Sequence, residues 1–109
     1  MTDVPAFTTL ADLSELIAVQ TESTVSRTVL RQPGVRVVLF AFDTGQELTE
    51  HTAAMPVLLQ VLTGRLSITA DGRTEELVPG GLFHLDARVP HAVHAHEPSR
   101  LVLTMLDAR

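Results

Sequence analysis

Two histidines are the side chains best placed to do chemistry. His51 ends the run Gly45-Gln46-Glu47-Leu48-Thr49-Glu50-His51, with Gly64 further on, and His91 ends Val89-Pro90-His91 after Gly80-Gly81. Forty residues separate them, yet each lies in a short stretch that reads as a β-strand. Inward-facing positions of distant strands converge in a closed or nearly closed β-barrel, so the two imidazoles are expected to share one small cavity. An imidazole titrates near neutral pH and its unprotonated nitrogen ligates transition metals. Such a pair suits small-molecule binding, metal ligation or general-base chemistry.

Other polar residues are weighed by strand parity. Glu47 lies four residues before His51, so strict alternation turns both to one side and makes Glu47 the best-placed carboxylate. The same rule turns His94 away from His91 and Gln60 away from Val57. His94 and His96 then share the opposite face, where solvent or an interface is the expected surrounding, and the register of His84 stays open. Arg88, in the loop leading to His91, could clamp an anionic substrate, since guanidinium suits carboxylate; a solvated loop arginine is the plainer reading. Arg27, Arg31, Arg36, Glu75 and Glu76 read as solvated faces, and Met55-Pro56 as loop packing near the cavity entrance. Gly80-Gly81 lacks the Lys-Ser/Thr tail of a phosphate loop, and no Gly-x-Ser-x-Gly nucleophile motif is present.

Composition narrows the partners. The chain has 109 residues, which suits one domain, and 8 basic against 13 acidic residues give a formal charge of −5. There is no basic run and the only aromatics are four Phe, which argues against nucleic acid. No apolar run approaches a membrane span and no charged-then-apolar leader is visible, so a cytoplasmic protein without membrane contact is expected. The absence of cysteine removes disulfides, thiolate nucleophiles and Cys-ligated metals.

The elements that must position the histidines are mostly strands. Thr9 with Asp12 three residues on, then Leu10, Leu13, Leu16 and Ile17 on one face, predicts a short helix over about 9–19. We therefore divide the chain into an N-terminal helical segment, 1–23, packing on a barrel, 24–109. In the barrel, Val25 to Leu30, Val35 to Phe42, Val57 to Leu62, Arg65 to Ala70, Arg73 to Val78, Leu82 to Leu85, Ala92 to Ala95 and Leu101 to Met105 read as strands. Gln32-Pro33-Gly34, Asp43-Thr44-Gly45 and Pro79-Gly80-Gly81 read as turns, and Asp71-Gly72 predicts a type I′ hairpin. Many short strands at this spacing predict an all-β antiparallel sandwich or barrel. Val57 to Leu62 is apolar on both faces, as in a strand covered on both sides.

The two frames resemble the motifs of the cupin superfamily, in the manner of a small single-domain RmlC-like cupin with degenerate metal-binding motifs. Gly45, His51 and Gly64 match the first motif, while its second histidine and its glutamate positions hold Ala53 and Val57. Gly80 and His91 match the second motif, whose Pro, Gly and Asn positions hold Asp86, Arg88 and Ala95. The resemblance covers about residues 35–105 and implies a jelly-roll barrel, commonly paired as a homodimer through a sheet face. In the complete pattern three histidines and a glutamate hold one divalent metal (iron, manganese, nickel or zinc). Here only His51 and His91 carry over as metal ligands, which leaves any metal weakly held.

Three functions follow as expectations. The first is a cupin that binds an unidentified small molecule around His51 and His91, with Glu47, Val57 and Arg88 lining the pocket and a divalent metal as an optional, weakly held addition. The second is a metal-dependent enzyme of dioxygenase or isomerase type, with the two histidines as ligands. The third is a metal-free enzyme with one histidine as general base. The first is preferred, because the missing ligands weaken the second and no oriented partner supports the third.

Overall fold

The computed structural model describes residues 6–107. Nine strands dominate: β1 Thr24–Gln32, β2 Val35–Phe42, β3 Glu47–His51, β4 Val57–Thr63, β5 Leu66–Ala70, β6 Arg73–Leu77, β7 Leu82–Leu85, β8 His91–Ala95 and β9 Ser99–Leu106. They form a five-stranded sheet, β1-β2-β9-β4-β7, and a four-stranded sheet, β3-β8-β5-β6, with every pairing antiparallel. This is a jelly-roll barrel. No described helix is long and apolar enough to cross a membrane.

Alternation decides which side chains fill the barrel. In β2, Val38, Phe40 and Phe42 pair in register with Leu103, Leu101 and Ser99 of β9 and face inward. The core gathers Phe42, Val57, Leu59, Val61, Leu66, Ile68, Leu101 and Leu103 from both sheets. Leu39 and Ala41, of opposite parity, are nonetheless fully buried, so the outer face of the larger sheet is covered in part. Arg27 and Arg100 on that face donate to the carbonyls of Leu16 (2.8 Å) and Ile17 (2.9 Å), which ties the preceding segment to the sheet.

Those bonds also bear on the N-terminal element. In place of a helix over 9–19 there is one 3-10 turn, Leu13–Leu16, capped by Asp12, whose carboxylate accepts from the Ser14 N–H. In a longer α-helix the Leu16 and Ile17 carbonyls would accept from N–H groups four residues on. The arginines take them instead, and Ile17 is extended.

Turn chemistry fixes two corners. Asp71 and Gly72 both have positive φ, 51° and 71°, and Ala70 pairs with Arg73, as a two-residue type I′ hairpin demands. Gly64, at φ 89°, joins β4 to β5 so tightly that an added Cβ would strike Ser99 and the Pro98 carbonyl. Ser99 is fully buried there, and its Oγ accepts from the Arg65 N–H (3.0 Å).

Candidate functional site

His51 ends β3 and His91 opens β8, and the two residues are direct partners across that pair of strands. Their ring centroids lie 4.3 Å apart with the planes tilted by 57°. Each Nδ1 contacts a backbone carbonyl two residues back: His51 that of Thr49 at 2.9 Å, His91 that of Val89 at 3.0 Å. A carbonyl only accepts, so each neutral ring carries its proton on Nδ1 and leaves Nε2 as a lone pair. His91 is 2% exposed, and its buried Nε2 has no hydrogen-bond partner. Burial holds the His91 pKa below its ordinary 6.5; the Val89 carbonyl pulls it up and the nearby His51 lowers it further.

Glu47 is not part of this arrangement, contrary to the parity argument. Glu47 pairs with His94, Leu48 with Val93 and His51 with His91, so three steps along β3 match two along β8. This one-residue irregularity reverses alternation between Leu48 and His51. Leu48 packs against the core, while the exposed Glu47 meets the His94 Nδ1 at 3.2 Å. Val57 is 1% exposed within the apolar core. Arg88 is exposed in the loop before His91, at φ 66°, with its N–H donating to the Ala53 carbonyl (2.8 Å). The left-handed conformation explains why the family motif favours glycine at this position.

The remaining histidines lie elsewhere. His94 and His96 stack edge-on with centroids 5.1 Å apart, and His96 also bonds the Ser67 hydroxyl. His84 is exposed on β7 opposite Leu58. Among the described residues, neither His51 nor His91 lines the surface clefts bordered by Arg31 and Arg36, by Glu47 and His94, or by Phe83 and Asp86.

Arg31 is exposed, as expected of a solvated residue, while Arg36 is half-buried. They are direct partners across β1 and β2, and Arg36 is also the partner of Met105, which packs on the core. Paired residues share a face, so both arginines belong to the inner row that continues through Met105, Val57 and Leu85. For Arg36 a signal was present, since it shares parity with Val38, Phe40 and Phe42. For Arg31 it was hidden by a register shift between Thr28 and Leu30.

The donor set decides how a metal would fare. Two imidazole Nε2 atoms supply two coordination positions, where resident sites have three or four protein ligands. The other two ligand positions of the family pattern hold Ala53 and Val57, which have no donor atom. Among the described residues no group of three or more His, Cys, Asp or Glu could hold a metal ion. These residues do not fit a resident metal centre.

Comparison with known proteins fits this picture of the barrel. A conserved protein of unknown function from Streptococcus pyogenes superposes with a TM-score of 0.84 at 23% identity, covering 100% of this chain and 97% of that one. A cupin superfamily protein from Desulfitobacterium hafniense gives 0.82 at 24% identity, covering 96% and 95%. Salicylate 1,2-dioxygenase from Pseudoaminobacter salicylatoxidans gives 0.72 at 18% identity, covering 82% of this chain but 28% of that chain. At these identities the likeness is one of fold. No curated protein matches. The family model described as "Cupin domain" matches residues 38–107, which is most of the chain and includes both histidine frames, and the chain therefore belongs to the cupin family.

Proposed function

We propose that this chain binds a small molecule at the barrel end that carries His51 and His91. The observation behind this reading is the orphaned Nε2 of His91, a buried acceptor with no donor. Leaving such an atom unpaired costs about 1–3 kcal/mol, which a guest with an O–H or N–H group would recover. The Val89 carbonyl orients the ring, burial keeps it neutral, and His51 offers a second acceptor beside it. The same features would let the pair accept a proton from a bound molecule. The fold neighbours include a protein of unknown function as well as a dioxygenase, so likeness alone does not select a reaction.

The test is a thermal-shift screen on untagged protein, paired with metal analysis. A ligand at a hundredfold excess over its Kd stabilises the fold by about 2.7 kcal/mol. The expected result is stabilisation by donor-bearing compounds that is lost in His51→Ala and His91→Ala, with little bound metal. A stoichiometric iron, manganese, nickel or zinc ion that disappears in both variants would overturn this reading in favour of a metal-dependent enzyme of dioxygenase or isomerase type.

A further inference from the structure

Arg31 and Arg36 stand directly opposite each other on neighbouring strands, and both line a cleft of about 530 Å³. Like charges facing each other across an antiparallel pair are destabilising unless something of opposite sign lies between them. Among the described residues neither guanidinium is within ion-pair distance of a carboxylate. Among the described residues one acidic residue lines the cleft, Asp107, whose N–H donates to the Gly34 carbonyl (2.9 Å). Among the described lining residues, then, there are two cations and one anion.

Part of the remaining wall is apolar and adaptable, and Gln32 adds a polar amide. Pro33, Met55 and Met105 line the same cleft. Methionine packs against irregular apolar shapes and against aromatic rings. A bare inorganic anion would leave that surface without use, whereas an organic acid would present its carboxylate to the arginines and its body to the methionines. Guanidinium matches carboxylate in a planar, two-point hydrogen bond.

The cleft is at the same end of the barrel as the histidine pair. Met55 lies in the five-residue link, 52–56, between His51 and Val57, and Val57 sits in the same inner row as Arg31, Arg36 and Met105. The Leu106 N–H donates to the Pro56 carbonyl (2.9 Å), fastening that link to β9.

We propose that the Arg31–Arg36 cleft binds the carboxylate of a small organic acid with an apolar body. This cleft offers a ligand class for the small-molecule reading above but is not lined by the histidines, so the experiment separates the two places. Benzoate serves as the probe, with benzamide as its neutral counterpart and inorganic phosphate as the bare anion. Each is titrated into the isotopically labelled protein while the arginine Nε–H, methionine methyl and histidine ring signals are followed by NMR.

The expected result is that benzoate shifts the Arg31, Arg36, Met55 and Met105 signals, with benzamide at least tenfold weaker. Arg31→Gln and Arg36→Gln, each checked for native dispersion of its spectrum, should each weaken benzoate at least tenfold, while His51→Ala leaves the arginine shifts in place. Benzamide binding as well as benzoate, or phosphate binding better than benzoate, overturns the carboxylate assignment. Shifts at the histidines without shifts at the arginines would also overturn it while sparing the histidine pocket. Arginine shifts without any histidine response would uphold the acid site and count against the histidine reading. No response to benzoate at either place overturns the inference in the wild-type protein, whatever the variants do.

Discussion

His91 is buried, neutral and held by its Nδ1 proton to a carbonyl, which makes it a source of pH sensitivity. Its folded-state pKa lies below the ordinary 6.5 because burial disfavours the imidazolium and His51 adds to that effect. As pH falls, the unfolded chain takes up this proton before the folded one does. The stability contributed by neutral His91 is therefore complete above the unfolded value and is lost below it, towards the lower folded pKa. Melting temperature is expected to drop more steeply between about pH 7 and pH 5 in the wild type than in His91→Gln, which carries no titrating ring. Equal slopes by calorimetry would remove His91 from the account. The burial behind this effect was not visible in Val89-Pro90-His91. Those residues indicate a strand start, but the ring's surroundings come from β3 and β5, whose residues His51 and Ala70 flank it across the sheet.

At the level of elements, turns and irregularities decide what each strand presents. Gly64 allows β4 to turn into β5 against the buried Ser99, at a φ of 89° that only glycine adopts without strain. A Cβ there would overlap Ser99 and the Pro98 carbonyl, and these are backbone and short side-chain atoms with little freedom to move. Gly64→Ala is expected to cost about 3 kcal/mol or more, read from chemical denaturation, since strain and overlap act together. A cost under about 1 kcal/mol would show that the corner yields. The register shift in β3 works in the opposite direction, because it changes a site. It carries Glu47 away from His51 and puts Leu48 inward, so the carboxylate best placed by parity faces a third histidine on the outside. Alternation read from sequence holds only between such shifts.

For the molecule as a whole, the larger sheet has a second face to account for. Leu58, Val35, Val37 and Leu106 lie outward on it and are half-buried, and Leu82 at its β7 edge is 61% exposed. The two arginines on that face are engaged with the carbonyls of Leu16 and Ile17. We propose that a second copy packs there, as expected from the apolar β4. Specific, stable protein interfaces bury roughly 800 Å² or more per partner, and those of homodimers have an apolar centre. Light scattering after size exclusion should give about twice the 11.8 kDa chain mass, and Leu58→Glu should shift it towards the monomer. A wild-type mass near 11.8 kDa at micromolar concentration would refute the dimer.

The amino-acid sequence by itself determined the strands, the type I′ hairpin at Asp71-Gly72 and the two histidine frames. Each of these depends on local alternation, on residues that tolerate positive φ, or on spacing within a few positions. Tertiary structure alone decided that the His51 and His91 rings touch, that Glu47 turns outward and that Arg31 joins Arg36 on the inner row. The physical reason is that strand register is set between segments far apart in the chain. One residue of slip in that pairing exchanges the two faces of everything beyond it.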